Sequence, residues 1–173
     1  TANFFEEKDH YTLIKAFQKL VIQHSSLDLK LHLVGTAPGG SKRLLEMKAM
    51  AFDLGLCEKV LFHGVVSDVK SLLQQMDIGV LSTYSEGFSN AIMEYMEAGL
   101  PVIASDIPAN REALENNNYL FELENVFELT SRLERLILDK DLRFEIGFHN
   151  ILNAKNRFKI ESLDLKLSKI LFS

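Results

Sequence analysis

Two hydrophobic rhythms alternate along the chain. Leu13, Ile14, Phe17, Leu20 and Val21 recur at helical spacing and predict an amphipathic helix. The short apolar run at 29–34 ends at Gly35 and predicts a buried strand. Helical spacing resumes at Ser41, with Leu44, Leu45, Met47, Met50 and Leu54 facing inward and Gly55 as the stop. Residues 60–62 predict a strand closed by His63-Gly64. A short helix over 67–76 follows, capped by Ser67 or Asp68. The strand at 78–81 leads into a polar loop, 82–87, then a helix from about 89 to 98 stopped by Gly99 and Pro101. Strands at 102–104 and 119–121 flank a helical turn at 108–114. Everything from 126 to 173 is helical in pattern, with a break expected near 153–158. At the other end, Ala2-Asn3-Phe4-Phe5 predicts the close of a strand already under way, so a domain cut from a longer protein is expected.

Short continuous strands alternating with amphipathic helices mean parallel βαβ units. The expected architecture is α/β: one domain over 1–173, a Rossmann-like doubly wound parallel sheet with helices on both faces. Such sheets bind ligands beyond the carboxyl ends of their strands. The loops to inspect therefore follow Phe4, Val34, Phe62, Leu81 and Ala104.

Composition narrows the partners. With 173 residues, 47% hydrophobic and 25% charged, the chain has enough material for a full core. A net charge of -5 argues against nucleic acid, which needs a basic face. No apolar run reaches the ~18–20 residues of a membrane helix. No secretory signal is expected, and the single Cys57 has no internal partner. A cytoplasmic setting is expected, including the inner face of the membrane. Cys57 lies in an apolar stretch and is expected to line the core or to be partly buried.

The loop after Leu81 carries the most chemistry. Glu86 and Glu94 bracket a glycine turn and a helix start. At ~1.5 Å per helical residue, eight positions span at most about 12 Å. Between them, the amides from Gly87 to Ala91 and the helix dipole favour a diphosphate. The plain alternative is a pair of solvated helix-end charges. Against it stands Glu94, set in a mostly apolar helix where a carboxylate needs a partner.

Glu86-Gly87-Phe88, the seven residues between the glutamates, and the run from Glu97 through Ala98-Gly99-Leu100-Pro101 to Ser105 resemble the donor-site signature of family 4 (group 1) glycosyltransferases of the GT-B type. Lys8-Asp9-His10 is similar to that family's phosphate-binding lysine segment, Leu31 to Gly35 to its second strand and glycine turn, and Val60 to Gly64 to the strand beside the base. Ile107 to Glu112 is similar to the segment after the fifth strand, and the resemblance runs from Ala2 to about Phe158. It implies the C-terminal, donor-binding half of a retaining hexosyltransferase, without its N-terminal acceptor domain. The partner would be a UDP-, GDP- or ADP-linked sugar, used in cell-surface polysaccharide or glycoconjugate synthesis. The fragment alone would be inactive.

By the same resemblance, Glu86 would bind hydroxyls of the transferred sugar. The amides of Gly87, Phe88 and Ser89 would line the sugar and its phosphate, and those of Asn90 and Ala91 would reach the diphosphate. Glu94 would hold the ribose. Lys8 would stabilise the leaving diphosphate. Gly35 would admit the nucleotide close to the backbone, and Val66 would pack near the base. Asn3 stands where many relatives carry an arginine, so a second phosphate cation is missing unless Arg111 or the other half of the protein supplies it. The five histidines show no metal-ligand spacing. Asp139-Lys140-Asp141 sits at a helix junction, and no metal or cofactor is expected. Rival readings are a non-catalytic nucleotide-sugar-binding module, and an epimerase or phosphorylase on the same plan. A dinucleotide oxidoreductase lacks its Gly-x-Gly-x-x-Gly turn.

Overall fold

The computed structural model describes residues 7–35, 42–114 and 119–171, with side chains as far as 156. The opening strand expected at 2–5, Asn3 and the helix start expected at Ser41 lie outside the described residues. Alternating helices and strands appear as expected: α1 (His10–Gln23), β1 (Leu31–Val34), α2 (Lys42–Asp53), β2 (Val60–Gly64), α3 (Val69–Leu73), β3 (Gly79–Leu81), α4 (Asn90–Glu97), β4 (Val102–Ser105), α5 (Pro108–Leu114), β5 (Leu120–Phe121), α6 (Val126–Leu138) and α7 (Lys140–Leu171). Among the described residues no helix is long and apolar enough to cross a membrane.

The pairings among these strands are all parallel. The expected single sheet appears as two, in the orders β1-β2 and β3-β4-β5. A cavity of about 550 Å³ lies between β1 and β3, lined by both strands and by Leu13, Phe17, Leu133 and Ile137. Glu86 and Glu94 are not among its walls.

Successive strand residues point to opposite faces, and both faces are buried. On β4, Ile103 joins a core with Ile14, Leu20, Leu129 and Leu136 from α1 and α6. Its neighbours Val102 and Ala104 join a second core with Ile92 and Met96 from α4. Phe121 and Leu120 divide in the same way. A fully buried side chain of this size contributes about 1.5–3 kcal/mol, so each strand is held from two sides. Helix α7 serves both cores, through Ile146 on one and Ala154 on the other.

Local signals set the helix ends. Asp9 accepts from the Thr12 amide at 3.1 Å to start α1, and Asp68 accepts from the Ser71 amide at 3.0 Å to start α3. Gly99 ends α4 with φ 76°, a left-handed conformation that glycine adopts without penalty. It also touches α7, where a Cβ on Gly147 would lie 2.1 Å from the Gly99 carbonyl oxygen.

Two further expectations fail. The break near 153–158 is not there, because α7 runs unbroken from Lys140 to Leu171. The interruption falls at Asp139, whose carboxylate accepts from the Leu142 amide at 2.8 Å. Asn153 to Phe158 contains no glycine or proline to force a stop. Cys57 is exposed rather than core-lining. Leu56 takes the buried position in that turn, at 2% exposure.

Candidate functional site

The carboxyl ends of β3 and β4 build the site. Beyond β3 the chain enters the loop 82–89. The segment before α1 is stitched to it by three backbone-side hydrogen bonds: Asp9 N–H to the Ser82 carbonyl (3.0 Å), Tyr84 N–H to the Glu7 carbonyl (2.7 Å), and Thr83 Oγ1–H to the same Glu7 carbonyl (2.9 Å). This pairing carries Lys8 onto the loop. There its Nζ donates to Glu86 Oε1 in an ion pair whose side chains are 13% and 17% exposed. The two residues assigned to chemistry are therefore in direct contact.

A buried polar network holds the loop from behind. The Thr83 amide donates to Ser105 Oγ at 3.0 Å, and that hydroxyl donates to the Thr83 carbonyl at 2.6 Å. Asn110 Nδ2 donates to the Ser105 carbonyl at 2.8 Å, and Ser89 Oγ donates to Asn110 Oδ1 at 2.5 Å. Thr83, Ser105 and Asn110 are wholly buried and Ser89 nearly so. Buried polar groups need partners, and here each satisfies the next. None of Thr83, Ser105 and Asn110 is a candidate on sequence grounds: Thr83 falls in a polar loop and Asn110 in a polar helix, and only Ser105, closing the apolar run of β4, stands out.

Because the Ser89 hydroxyl turns to Asn110, it makes no capping bond to α4. The amides of Gly87, Phe88, Ser89 and Ala91 make no backbone hydrogen bond among the described residues. The Asn90 amide differs from expectation, since it donates to the Phe88 carbonyl at 2.9 Å. The start of α4 thus offers a row of donors and the positive end of a dipole at the loop's rim. Glu94 stands one turn further on, half-buried between Met93 and Tyr95, both buried. Phe88 is 56% exposed, an apolar ring at the rim.

Gly35 and Val66 lie at the ends of the neighbouring strands. The Gly35 amide donates to the Gly64 carbonyl at 3.0 Å, and Val66 is half-buried two residues beyond. Arg111 is committed elsewhere: its Nε and Nη2 grip both oxygens of Asp106 at 2.5 and 2.9 Å. That pairing holds the Asp106 carboxyl below its usual range.

Electrostatics around Lys8 are set by burial. His10, 5% exposed, is lowered to about 4, first by desolvation and then by the Arg43 and Lys8 charges. Tyr84 Oη donates to Glu124 at 2.9 Å, and desolvation with this bond pushes the hydroxyl up to about 12. Glu124 holds a left-handed φ of 62°, uncommon for a residue with a Cβ. His32 and His63 stack with ring centres 5.0 Å apart. Among the described residues, no group of three or more His, Cys, Asp or Glu is arranged to hold a metal ion.

Known proteins share this fold. Residues 1–139 match the family model described as glycosyl transferases group 1. CapJ of Staphylococcus aureus is 29% identical over 99% of this chain and 42% of its own length. The N-acetyl-alpha-D-glucosaminyl L-malate synthase of Bacillus anthracis is 26% identical over 94% of this chain and 41% of its own. The chain thus spans less than half the length of these relatives. Among solved structures, HepE of Anabaena in complex with UDP and glucose superposes with TM-score 0.86 at 24% identity, covering 98% of this chain and 46% of HepE. The catalytic domain of the Helicobacter pylori cholesterol-alpha-glucosyltransferase gives 0.78 at 23% identity, covering 91% of this chain and 95% of that domain. The fold is the Rossmann-like α/β fold of GT-B glycosyltransferases, and the chain belongs to the glycosyl transferases group 1 family.

Proposed function

We propose that this chain is the donor-binding half of a retaining glycosyltransferase that takes a sugar from a nucleoside diphosphate. The observation that carries this reading is the Lys8–Glu86 pair beside the uncapped start of α4. A cation for phosphate and an acid for hydroxyls meet where a row of amides also converges. The hexose would bond to Glu86, the diphosphate to Lys8 and to the amides of Gly87, Phe88, Ser89 and Ala91, and the ribose to Glu94. Gly35 and Val66 would border the base.

In the reaction, the bond from the anomeric carbon to the distal phosphate oxygen breaks. A bond from that carbon to an acceptor oxygen forms on the same face, and the acceptor's proton passes to the departing phosphate. Lys8 offsets charge that grows only as the bond breaks, the kind of contact that lowers a barrier. An acceptor domain from the rest of the protein would complete the cleft. The chain alone then binds donor and turns over nothing. HepE, similar in fold, was solved with UDP and glucose, so UDP-glucose is the first donor to try. A capsular polysaccharide biosynthesis glycosyltransferase, CapM of Staphylococcus aureus, is 24% identical over 88% of this chain and supports a place in polysaccharide synthesis.

Calorimetric titration of the chain with UDP-, GDP- and ADP-glucose tests the reading. Saturable binding of one of them is expected, and no binding of any nucleotide sugar would overturn it.

A further inference from the structure

Arg43, in the first turn of α2, reaches across to the segment that carries Lys8. Its Nη2 donates to the Lys8 carbonyl at 3.5 Å. Its Nε is buried with no hydrogen-bond partner. No carboxylate lies within 4.0 Å of the guanidinium among the described residues. Of the acids beside Lys8, Glu86 holds its Nζ, and Asp9 caps α1 through Oδ1 while its buried Oδ2 makes no hydrogen bond, to Arg43 or to any other group. A guanidinium has five rigidly placed donors and cannot shed its charge, and in half-buried Arg43 the Nε is shut away from solvent. With no ion pair of its own, this charge is placed to receive an anion.

The site's own demand points the same way. A diphosphate carries more charge than one lysine offsets, and that lysine is already shared with Glu86. Arg111 is locked onto Asp106 and Asn3 is uncharged. Arg43 and Lys8 jointly repel a proton from buried His10, so their fields overlap at one point. Resting on the nucleotide-sugar reading above, we propose that Arg43 is the second cation of the diphosphate subsite. A planar fork suits the two non-bridging oxygens of a phosphate.

The test is calorimetric titration of the chain and its Arg43→Gln and Arg43→Lys variants with UDP, GDP and ADP, and with the matching nucleosides. The diphosphate that binds is expected to weaken about tenfold or more in Arg43→Gln. It should weaken less in Arg43→Lys, while nucleoside affinity stays level in both. Diphosphate affinity unchanged in Arg43→Gln would overturn the assignment and leave the nucleotide-sugar reading standing. Equal losses for diphosphate and nucleoside would also overturn it, marking Arg43 as a prop for the Lys8 carbonyl. A chain that binds no nucleoside diphosphate at all overturns both.

Discussion

Lys8 and Glu86, 78 positions apart in the chain, form a partly buried ion pair across the antiparallel bridge between Lys8 and Thr83. In this arrangement each side chain occupies the other's ligand-binding capacity. A bare nucleoside diphosphate must draw Lys8 away from its acid, whereas a nucleotide sugar can satisfy both. Glu86→Gln should therefore tighten UDP several-fold and erase any preference for UDP-glucose over UDP. Titration of the variant with the two ligands checks this. Equal weakening of both would mean that Glu86 does not restrain Lys8.

Asn110 links Ser89 to Ser105 with no exposure to solvent. Asn110→Ala leaves the Ser89 hydroxyl without its partner inside the protein and takes one of two donors from the Ser105 carbonyl, which keeps the Ile107 amide, at a cost of roughly 1–3 kcal/mol. Urea unfolding measures that loss directly. Donor affinity should fall as well, since the loop 82–89 loses its support.

Gly147→Ala would push a methyl group against the Gly99 carbonyl, backbone against backbone. Helices α4 and α7 must then separate, and overpacking of this kind costs about 1–3 kcal/mol. A lowered midpoint with an unchanged slope in urea is the expected result.

His10 makes stability depend on pH. Its folded value, about 4, lies below the ordinary 6.5, so between those limits the unfolded chain binds the extra proton. Stability is full above about pH 6.5, falls as pH drops toward 4, and levels off for this group below that. The span is up to about 3 kcal/mol. His10→Gln should flatten the slope of the unfolding free energy across this window.

Much of the fold was legible because periodicity is a backbone property. The strands at β3 and β4 are short apolar runs, and Gly99 and Asp68 mark their turns by known chemistry. Long-range relations were not legible. Arg43 looks like any surface arginine of a helix until the fold sets it against the Lys8 carbonyl. Asn110 looks like a solvated helix residue until β4 and the loop close over it. The false break near 153–158 came from a polar run on a helix that continues regardless. Cys57 is exposed although its stretch is apolar, because Leu56 takes the buried position of that turn.

The central claim is that one turn and helix start hold the hexose at Glu86 and the ribose at Glu94. Saturation-transfer NMR with a bound nucleotide sugar tests it, comparing the chain with Glu86→Gln and Glu94→Gln. Hexose protons should lose saturation in the first variant and ribose protons in the second. Identical maps for all three proteins, or the same loss in both variants, would contradict it.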